Sequence, residues 1–170
     1  MSTEIEQFKK FVQTENVTQH IKRFYEHMPH PDDIIISILK GHLLVEEQLF
    51  ELISVEAEKP QALKDSRLTF HQTLCIAESL FWHEDSEWVW SSCRKLNSLR
   101  NSLSHELEPS HLDKNIKEFL RFVEKKYPPD GKKQVHKNQS TRLLTSIALV
   151  YAYLSAYLQA CKNTKRMKKE

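Results

Sequence analysis

Glycine is nearly missing from this chain, which has 2 glycines among 170 residues. A tight two-residue hairpin needs a residue that tolerates positive φ, and a phosphate-cradling loop needs several glycines in a short run. Neither a P-loop nor a Rossmann-type nucleotide site can therefore be read from this sequence. A single domain of this length can still bury roughly two thirds of the surface that its unfolded form exposes.

Cysteine is also scarce, with Cys75, Cys93 and Cys161 isolated from one another and odd in number. Two of them fall on apolar helix positions, so we expect reduced thiols in a cytoplasmic protein and no disulfide framework. The start of the chain is polar and acidic and carries no signal-peptide pattern. The stretch 143–160 is long and apolar, but its Thr, Ser and Gln residues favour a central core helix over a membrane span.

Excess charge of one sign is likewise missing, because the formal net charge is +2. This value is too small to indicate a nucleic-acid-binding protein by itself. Basic residues do cluster in the last nine positions and in a predicted loop around Lys132 and Lys133. Such runs are typical of solvated tails, and contact with RNA is the alternative.

Helical periodicity is what the sequence has instead. Apolar residues recur at helical spacing from end to end, with breaks at prolines and polar clusters, and no strand pattern competes. The sequence predicts an all-α bundle of about six helices, with one domain over 1–161 and a basic tail over 162–170. We expect Asp32 to cap the helix that begins near Ile34, and Ser110 with Asp113 has the spacing of a capping box. After a short first helix over about 5–12, six helices are predicted, over about 17–28, 34–55, 70–81, 86–103 and 112–123 and from near 140 or 141 onward.

Two ionisable residues interrupt the apolar stripe of the predicted helix 34–55. At about 100° per residue, His42 and Glu46 fall within roughly 20–30° of the stripe's centre, whereas Glu47 faces solvent. A buried, unpaired charge is costly, so the two residues must form a satisfied structural pair or line a polar cleft beside Arg100. The centre of the stripe is set by Ile35, Leu39, Leu43, Leu49, Phe50 and Ile53.

The segment 100–105 contains the side chains best suited to catalysis, which are those of Arg100, Asn101 and His105. Arginine offers a planar set of donors that suits a phosphate, and an imidazole can transfer a proton near neutral pH. On a straight helix, however, positions 100 and 105 point about 140° apart. They converge only if the helix relaxes near Ser104, or if two copies of the segment face each other across an interface.

The run 95–107, KLNSLRNSLSHEL, resembles the signature of the HEPN superfamily. Its members are small α-helical domains with an arginine followed, after four to six positions, by a histidine. The layout of helices over about 34–160 is also similar to that of stand-alone members. The resemblance implies an HEPN-like helical fold, a homodimer with both motifs in a shared cleft, and metal-independent RNA cleavage without a cofactor.

The resemblance also implies a role for each matching residue. His105 would act as general acid or base, Arg100 would stabilise the charged transition state, and Asn101 would position one of them. Cleavage would leave a 2′,3′-cyclic phosphate, and many family members are toxins or phage-defence effectors, some with an antitoxin or another regulatory partner. Supporting roles fall to His42, Glu46, Asn97 and Ser104, and RNA contacts to Lys95, Lys132 and Lys133.

A non-catalytic regulator is the alternative. Leu107 stands where HEPN toxins paired with a nucleotidyltransferase antitoxin have a tyrosine. The mannitol operon repressor family has a similar helix order and a related arginine–histidine spacing. In such a module Arg100 and His105 would stabilise the helix end by interacting with its dipole.

Two further patterns concern contact surfaces. Trp82, Trp88 and Trp90 could stack on bases, and the helical wheel makes Trp88 a core residue and Trp90 the better exposed candidate. Small residues recur every four positions in the last helix and let another helix approach closely, either within the chain or across a dimer seam. These small residues are Ala148, Ala152, Ala156 and Ala160.

Overall fold

The computed structural model describes residues 15–28, 33–105, 109–128 and 138–167. Helices and short connections make up these segments, without a β-strand among them, which confirms the predicted all-α bundle. The helix predicted near 5–12 lies outside the described residues. The elements are α1 (Glu15–His27), α2 (Ile34–Glu56), α3 (Pro60–Asp65), α4 (Phe70–Phe81), a 3-10 turn (Glu84–Ser86), α5 (Glu87–His105), α6 (Leu112–Lys126) and α7 (Gln139–Met167).

The last helix, α7, is the centre of the bundle and packs against α1, α2, α5 and α6. Ala148, Ala152 and Ala156 are buried against the rest of the same chain, so the small-residue stripe serves an intrachain contact along most of its length. The helix continues to Met167, past the predicted start of the tail, and Lys162 pairs with Glu51 across a 3.5 Å gap. The large buried side chains of α7 are Leu143, Ile147, Val150, Tyr151, Leu154 and Leu158.

Among the described helices, α7 alone has the length and apolar composition of a membrane span, over Gln139–Lys165. In its most apolar 18-residue window, however, 67% of the residues are buried inside the bundle. A central core helix has this composition because neighbouring helices surround it. The apolar run is thus explained by packing within the chain.

A close approach joins α2 to α7 at Gly41. A Cβ atom built at this position would lie 2.7 Å from Cγ2 of Ile147. Only a residue without a side chain lets the helices pack at this distance. One of the two glycines in the chain therefore has a packing role in the middle of a helix.

The helix ends match the predicted positions better than the predicted caps. Asp33 caps α2 by accepting a 3.0 Å hydrogen bond from the backbone N–H of Ile36, whereas Asp32 lies outside the described residues. The expected Ser110–Asp113 capping box is wrong, because α6 has its N-cap at His111 without a side-chain cap. Asp113 instead accepts a 2.8 Å hydrogen bond from Gln139 on α7. Between the predicted helices 34–55 and 70–81, residues 60–65 form the short helix α3, which was not predicted.

The buried face of α2 differs from the prediction by roughly 110° around the helix axis. Apolar residues occur on most sides of α2, so the wheel could not identify the face that packing would choose. Ile35, Leu39 and Leu43 are exposed, and Ile36 lies beside them. We call these four residues the apolar strip. The buried side instead contains Ile38, Leu44, Val45, Leu49, Leu52 and Ile53.

Candidate functional site

A cavity of about 580 Å³ opens between α2, the start of α4 and the second half of α5. Small-molecule sites in proteins typically have volumes of about 300–1,000 Å³. Five of the residues predicted to act together line the cavity, namely His42, Glu46, Asn97, Arg100 and Asn101. Its other lining residues are Leu39, Leu43, Thr69, Phe70 and His71.

His42 forms the polar floor of this cavity and is 4% exposed. Its Nε2 lies 3.0 Å from Oδ1 of Asn97, and because an amide oxygen can only accept, Nε2–H is the donor. Its ring stacks on Phe70 with the centroids 4.2 Å apart. Burial lowers the pKa of His42, the hydrogen bond to Asn97 opposes this effect, and the charge of Arg100 adds to it. His42 is therefore a neutral, fixed donor near pH 7 and poorly suited to be a general acid.

Glu46 lies one turn after His42 and is half-buried in the cavity wall. Within the described residues its carboxylate has neither a hydrogen bond nor a salt bridge. Burial raises the pKa of Glu46, and the nearby positive charge of Arg100 opposes this effect without cancelling it. The carboxylate is consequently an acceptor that is free to meet a ligand.

Arg100 and Asn101 form the rim of the cavity on α5. The Nη1 group of Arg100 donates a 3.3 Å hydrogen bond to Oδ1 of Asn101. Arg100 is exposed and has no salt bridge to any described residue. A solvent-facing guanidinium with most of its donors unused can bind a phosphate group.

His105 is the last residue of α5, and its side chain lies outside what the structure describes. The backbone stays helical up to His105, and Ser104 Oγ donates a 3.1 Å hydrogen bond to the carbonyl oxygen of Arg100. The relaxation that could bring positions 100 and 105 together within one chain is therefore not present before His105. Ser104 itself is exposed and does not line the cavity.

The predicted basic contacts lie apart from the cavity or outside the described residues. Lys95 is not a lining residue, because its Nζ lies over the ring of Phe122 on α6, 5.5 Å from the centroid. This cation–π contact directs Lys95 toward the α5–α6 side of the bundle. Lys132 and Lys133 belong to the segment 129–137, outside the described residues.

The prediction that Trp90 is the exposed tryptophan is wrong. Trp90 is 1% exposed, and its Nε1 donates a 2.9 Å hydrogen bond to Ser86 Oγ. Trp88 is buried as expected, so the helix faces that carry Trp88 and Trp90 at the start of α5 are both covered by the rest of the bundle. Trp82, in the connection before the 3-10 turn, is the exposed one, at 57%.

Sequence reasoning missed the contribution of α4 and of the exposed leucines to the cavity. Thr69 caps α4 through a capping box with Gln72, which places Phe70 and His71 at the start of the helix, beside His42. The Thr-x-x-Gln spacing was the available signal for this helix start. No local pattern indicates that it meets the middle of α2.

The fold and the cavity define a helical bundle with a mixed polar and apolar pocket that offers one cation, one carboxylate and two amides. The described residues contain no group of three or more His, Cys, Asp or Glu side chains that could hold a metal ion. No family model, curated protein or solved structure matches this chain. The chemistry of the cavity is therefore the main guide to function.

Proposed function

We propose that this protein is a metal-independent endoribonuclease of the HEPN type that acts as a homodimer in the cytoplasm. The observation that carries the proposal is the position of Arg100 and Asn101 at the rim of a cavity, five and four residues before His105 on the same helix. The rim thus offers donors that suit a phosphate, and His105, at the end of the same helix, would transfer protons in the cleft shared by two subunits. A toxin or phage-defence role, with an antitoxin or regulatory partner, is part of the proposal.

Dimer formation is supported by the apolar strip on α2. Leu43 is 61% exposed, and Leu39 next to it is also exposed, although both line the same cavity as Arg100. Clustered apolar side chains in water favour burial against a partner. A second copy that covers the strip would bring its own α5 toward this cavity, so Arg100 of one subunit could act with His105 of the other.

The proposed reaction is an internal transesterification of RNA. The ribose 2′-hydroxyl loses its proton to a general base and attacks the adjacent phosphorus atom. The bond from phosphorus to the 5′-oxygen breaks, and that oxygen takes a proton from a general acid. The products are a 2′,3′-cyclic phosphate and a 5′-hydroxyl. His105 serves as one proton carrier, and Arg100 neutralises the charge that builds up on the phosphoryl oxygens.

The test is an RNA cleavage assay in the presence of EDTA. Purified protein should cut single-stranded or transfer RNA and leave 2′,3′-cyclic ends. His105→Ala should abolish cleavage, and Arg100→Ala should reduce it by at least about a hundredfold, in line with the loss of a transition-state donor. Circular dichroism and melting temperature should show that both variants remain folded.

His111→Ala is the matched control for His105→Ala. His111 is exposed at the start of α6, has no capping hydrogen bond and does not line the cavity. Its replacement should leave cleavage unchanged. Cleavage that survives His105→Ala, or that requires a divalent ion, contradicts the proposed mechanism.

A non-catalytic regulatory module, similar to the mannitol operon repressor, is the second candidate. It is favoured by the regular helix up to His105, because positions 100 and 105 then diverge by about 140° within one chain. The two residues would then stabilise the end of α5. This candidate predicts no RNA cleavage and a lower melting temperature when either residue is replaced by alanine.

A further inference from the structure

We propose that the cavity beside Arg100 binds a guanine base, with the Glu46 carboxylate and the Asn97 amide reading its Watson–Crick edge. This inference rests on the proposed ribonuclease function and specifies its substrate: the base next to the scissile phosphate would be guanine. It depends on the described cavity residues and not on the side chain of His105.

Glu46 supplies an acceptor with two oxygen atoms. It lines the cavity from α2, and no described residue donates to it or pairs with it. A half-buried carboxylate without a partner is costly to the fold, and a ligand with two adjacent N–H donors would satisfy it.

Asn97 supplies the complementary donor, and His42 fixes its orientation. Since Oδ1 of Asn97 accepts the hydrogen bond from His42 Nε2–H, the amide group presents its Nδ2 donors away from His42. No described residue accepts from Nδ2. The lining of the cavity therefore combines a carboxylate acceptor on α2 with an amide donor on α5.

Guanine is the base that matches this pair. Its Watson–Crick edge places two donors, N1–H and N2–H, next to one acceptor, O6. Adenine and cytosine each present a ring-nitrogen acceptor that a carboxylate repels, and uracil has a single N–H between two carbonyl oxygens. A carboxylate with a neighbouring amide donor thus selects guanine over the other three bases.

The walls and the rim suit the rest of a nucleotide. Phe70, which lines the cavity, gives it an apolar side on which a base plane can lie. Arg100 at the rim can bind the phosphate that is attached to the sugar. The cavity volume of about 580 Å³ leaves room for the base and part of the ribose.

The test measures the binding of single nucleotides that cannot be cleaved, by calorimetry on the full-length protein. Guanosine 3′-monophosphate should bind at least about tenfold more tightly than adenosine 3′-monophosphate, since a good bidentate pair contributes about 1–3 kcal/mol to base discrimination. Inosine 3′-monophosphate, which lacks the N2 amine, should bind with intermediate affinity. Equal affinity for all three nucleotides overturns the proposal.

Three variants test which residues cause the preference for guanine. Glu46→Gln should remove the preference for guanine, whereas Glu47→Gln, one position along on the solvent side of α2, should leave it intact. Arg100→Ala should weaken the binding of all three nucleotides without changing their order. A guanine preference that persists in Glu46→Gln overturns the proposal.

The outcome is separable from that of the ribonuclease proposal, because nucleotide binding does not require His105. His105→Ala should retain the preference for guanine in this assay. Guanine-selective binding without RNA cleavage would retain the base site and reject the nuclease. Cleavage in EDTA that depends on His105, without any guanine preference in binding, would retain the nuclease and reject the base site.

Discussion

His42 on α2 and Asn97 on α5 are joined by a hydrogen bond of 3.0 Å, from Nε2 to Oδ1, at the floor of the cavity. The two residues are 55 positions apart in the sequence. His42 is buried and neutral, so Asn97 is the group that satisfies its ring donor. The bond links the two helices that carry Glu46 and Arg100.

Replacing Asn97 should destabilise the protein. Asn97→Ala leaves the Nε2–H group of the buried His42 without an acceptor, which costs about 1–3 kcal/mol. Chemical denaturation should show this loss as a lower midpoint with an unchanged slope. Asn101→Ala is the control, since the side chain of Asn101 accepts its hydrogen bond from the exposed Arg100 and not from a buried group, and its effect should be much smaller. Equal stability of Asn97→Ala and the wild type would contradict the role given to this bond.

Stability should decrease as the pH falls through 6.5, the ordinary pKa of histidine. Burial lowers the pKa of both His42 and His20 in the folded protein. Their contribution is complete above the unfolded pKa and is lost as the pH falls, because the unfolded chain then binds protons that the folded protein resists. Unfolding midpoints measured about one pH unit on either side of this value would reveal the loss.

The same measurement on His42→Gln separates the contribution of His42 to the pH dependence from that of His20. Glutamine can keep a donor near the Nε2 position but does not titrate, so the variant should lose less stability on acidification than the wild type. The comparison between the two proteins is needed because Glu46, whose pKa is raised by burial, makes stability increase as the pH falls. An identical pH dependence in both proteins would contradict the assignment to His42.

Gly41→Ala should lower stability even though alanine favours helix. The new methyl group would lie 2.7 Å from Cγ2 of Ile147, which is fully buried and, being β-branched, has little rotamer freedom. Overpacking typically destabilises a protein by about 1–3 kcal/mol, and the higher helix propensity of alanine over glycine offsets about 1 kcal/mol of this loss. Thermal unfolding should therefore give a net loss of up to about 2 kcal/mol.

Ile147→Ala provides the background that tests this explanation. Alone, it should destabilise the protein by about 2–5 kcal/mol, as large-to-small core substitutions do. In that background, Gly41→Ala should cost nothing or become favourable, because the space for its methyl group is then available. Simple additivity of the two substitutions would show that the contact is not the cause.

Glu46→Gln should raise the melting temperature at neutral pH. Because burial raises the pKa of Glu46, its favourable contribution is present below the unfolded pKa of 4.5 and is lost as the pH rises through the folded pKa. Glutamine removes the cost of the buried charge at pH 7. The gain over the wild type should shrink as the pH falls toward 4.5.

The neighbouring substitution Glu47→Gln should act in the opposite direction. Glu47 accepts two hydrogen bonds from Arg23, of 2.7 Å and 3.0 Å, so its replacement weakens a salt bridge between α1 and α2. An exposed pair of this kind contributes about 0.2–1 kcal/mol. A melting temperature that falls in both variants would contradict the account given for Glu46.

The ends of most helices could be predicted from the sequence to within about three residues, although the short helix α3 was missed. The predicted helix 34–55 is found at Ile34–Glu56, and 86–103 at Glu87–His105. Apolar periodicity and prolines are local signals, and helix formation depends mainly on local hydrogen bonds. Predictions that depended on a neighbouring helix failed more often, as the buried Trp90 and the cap of α6 show.

The residues of the cavity could be predicted from the sequence only in part. His42, Glu46, Asn97, Arg100 and Asn101 line one cavity, which the wheel of α2 could only suggest. Phe70 and His71 were missed because the α2–α4 contact has no sequence signature.

The sequence by itself determined that the chain folds into helices, roughly where the long ones begin and end, and that Arg100, Asn101 and His105 share one of them. The tertiary structure alone decided which side of α2 is buried, and that a carboxylate from α2, an amide from α5 and a ring from α4 meet at one cavity. The physical reason is that helical hydrogen bonds join residues four positions apart, whereas burial depends on contacts between residues that are distant in sequence.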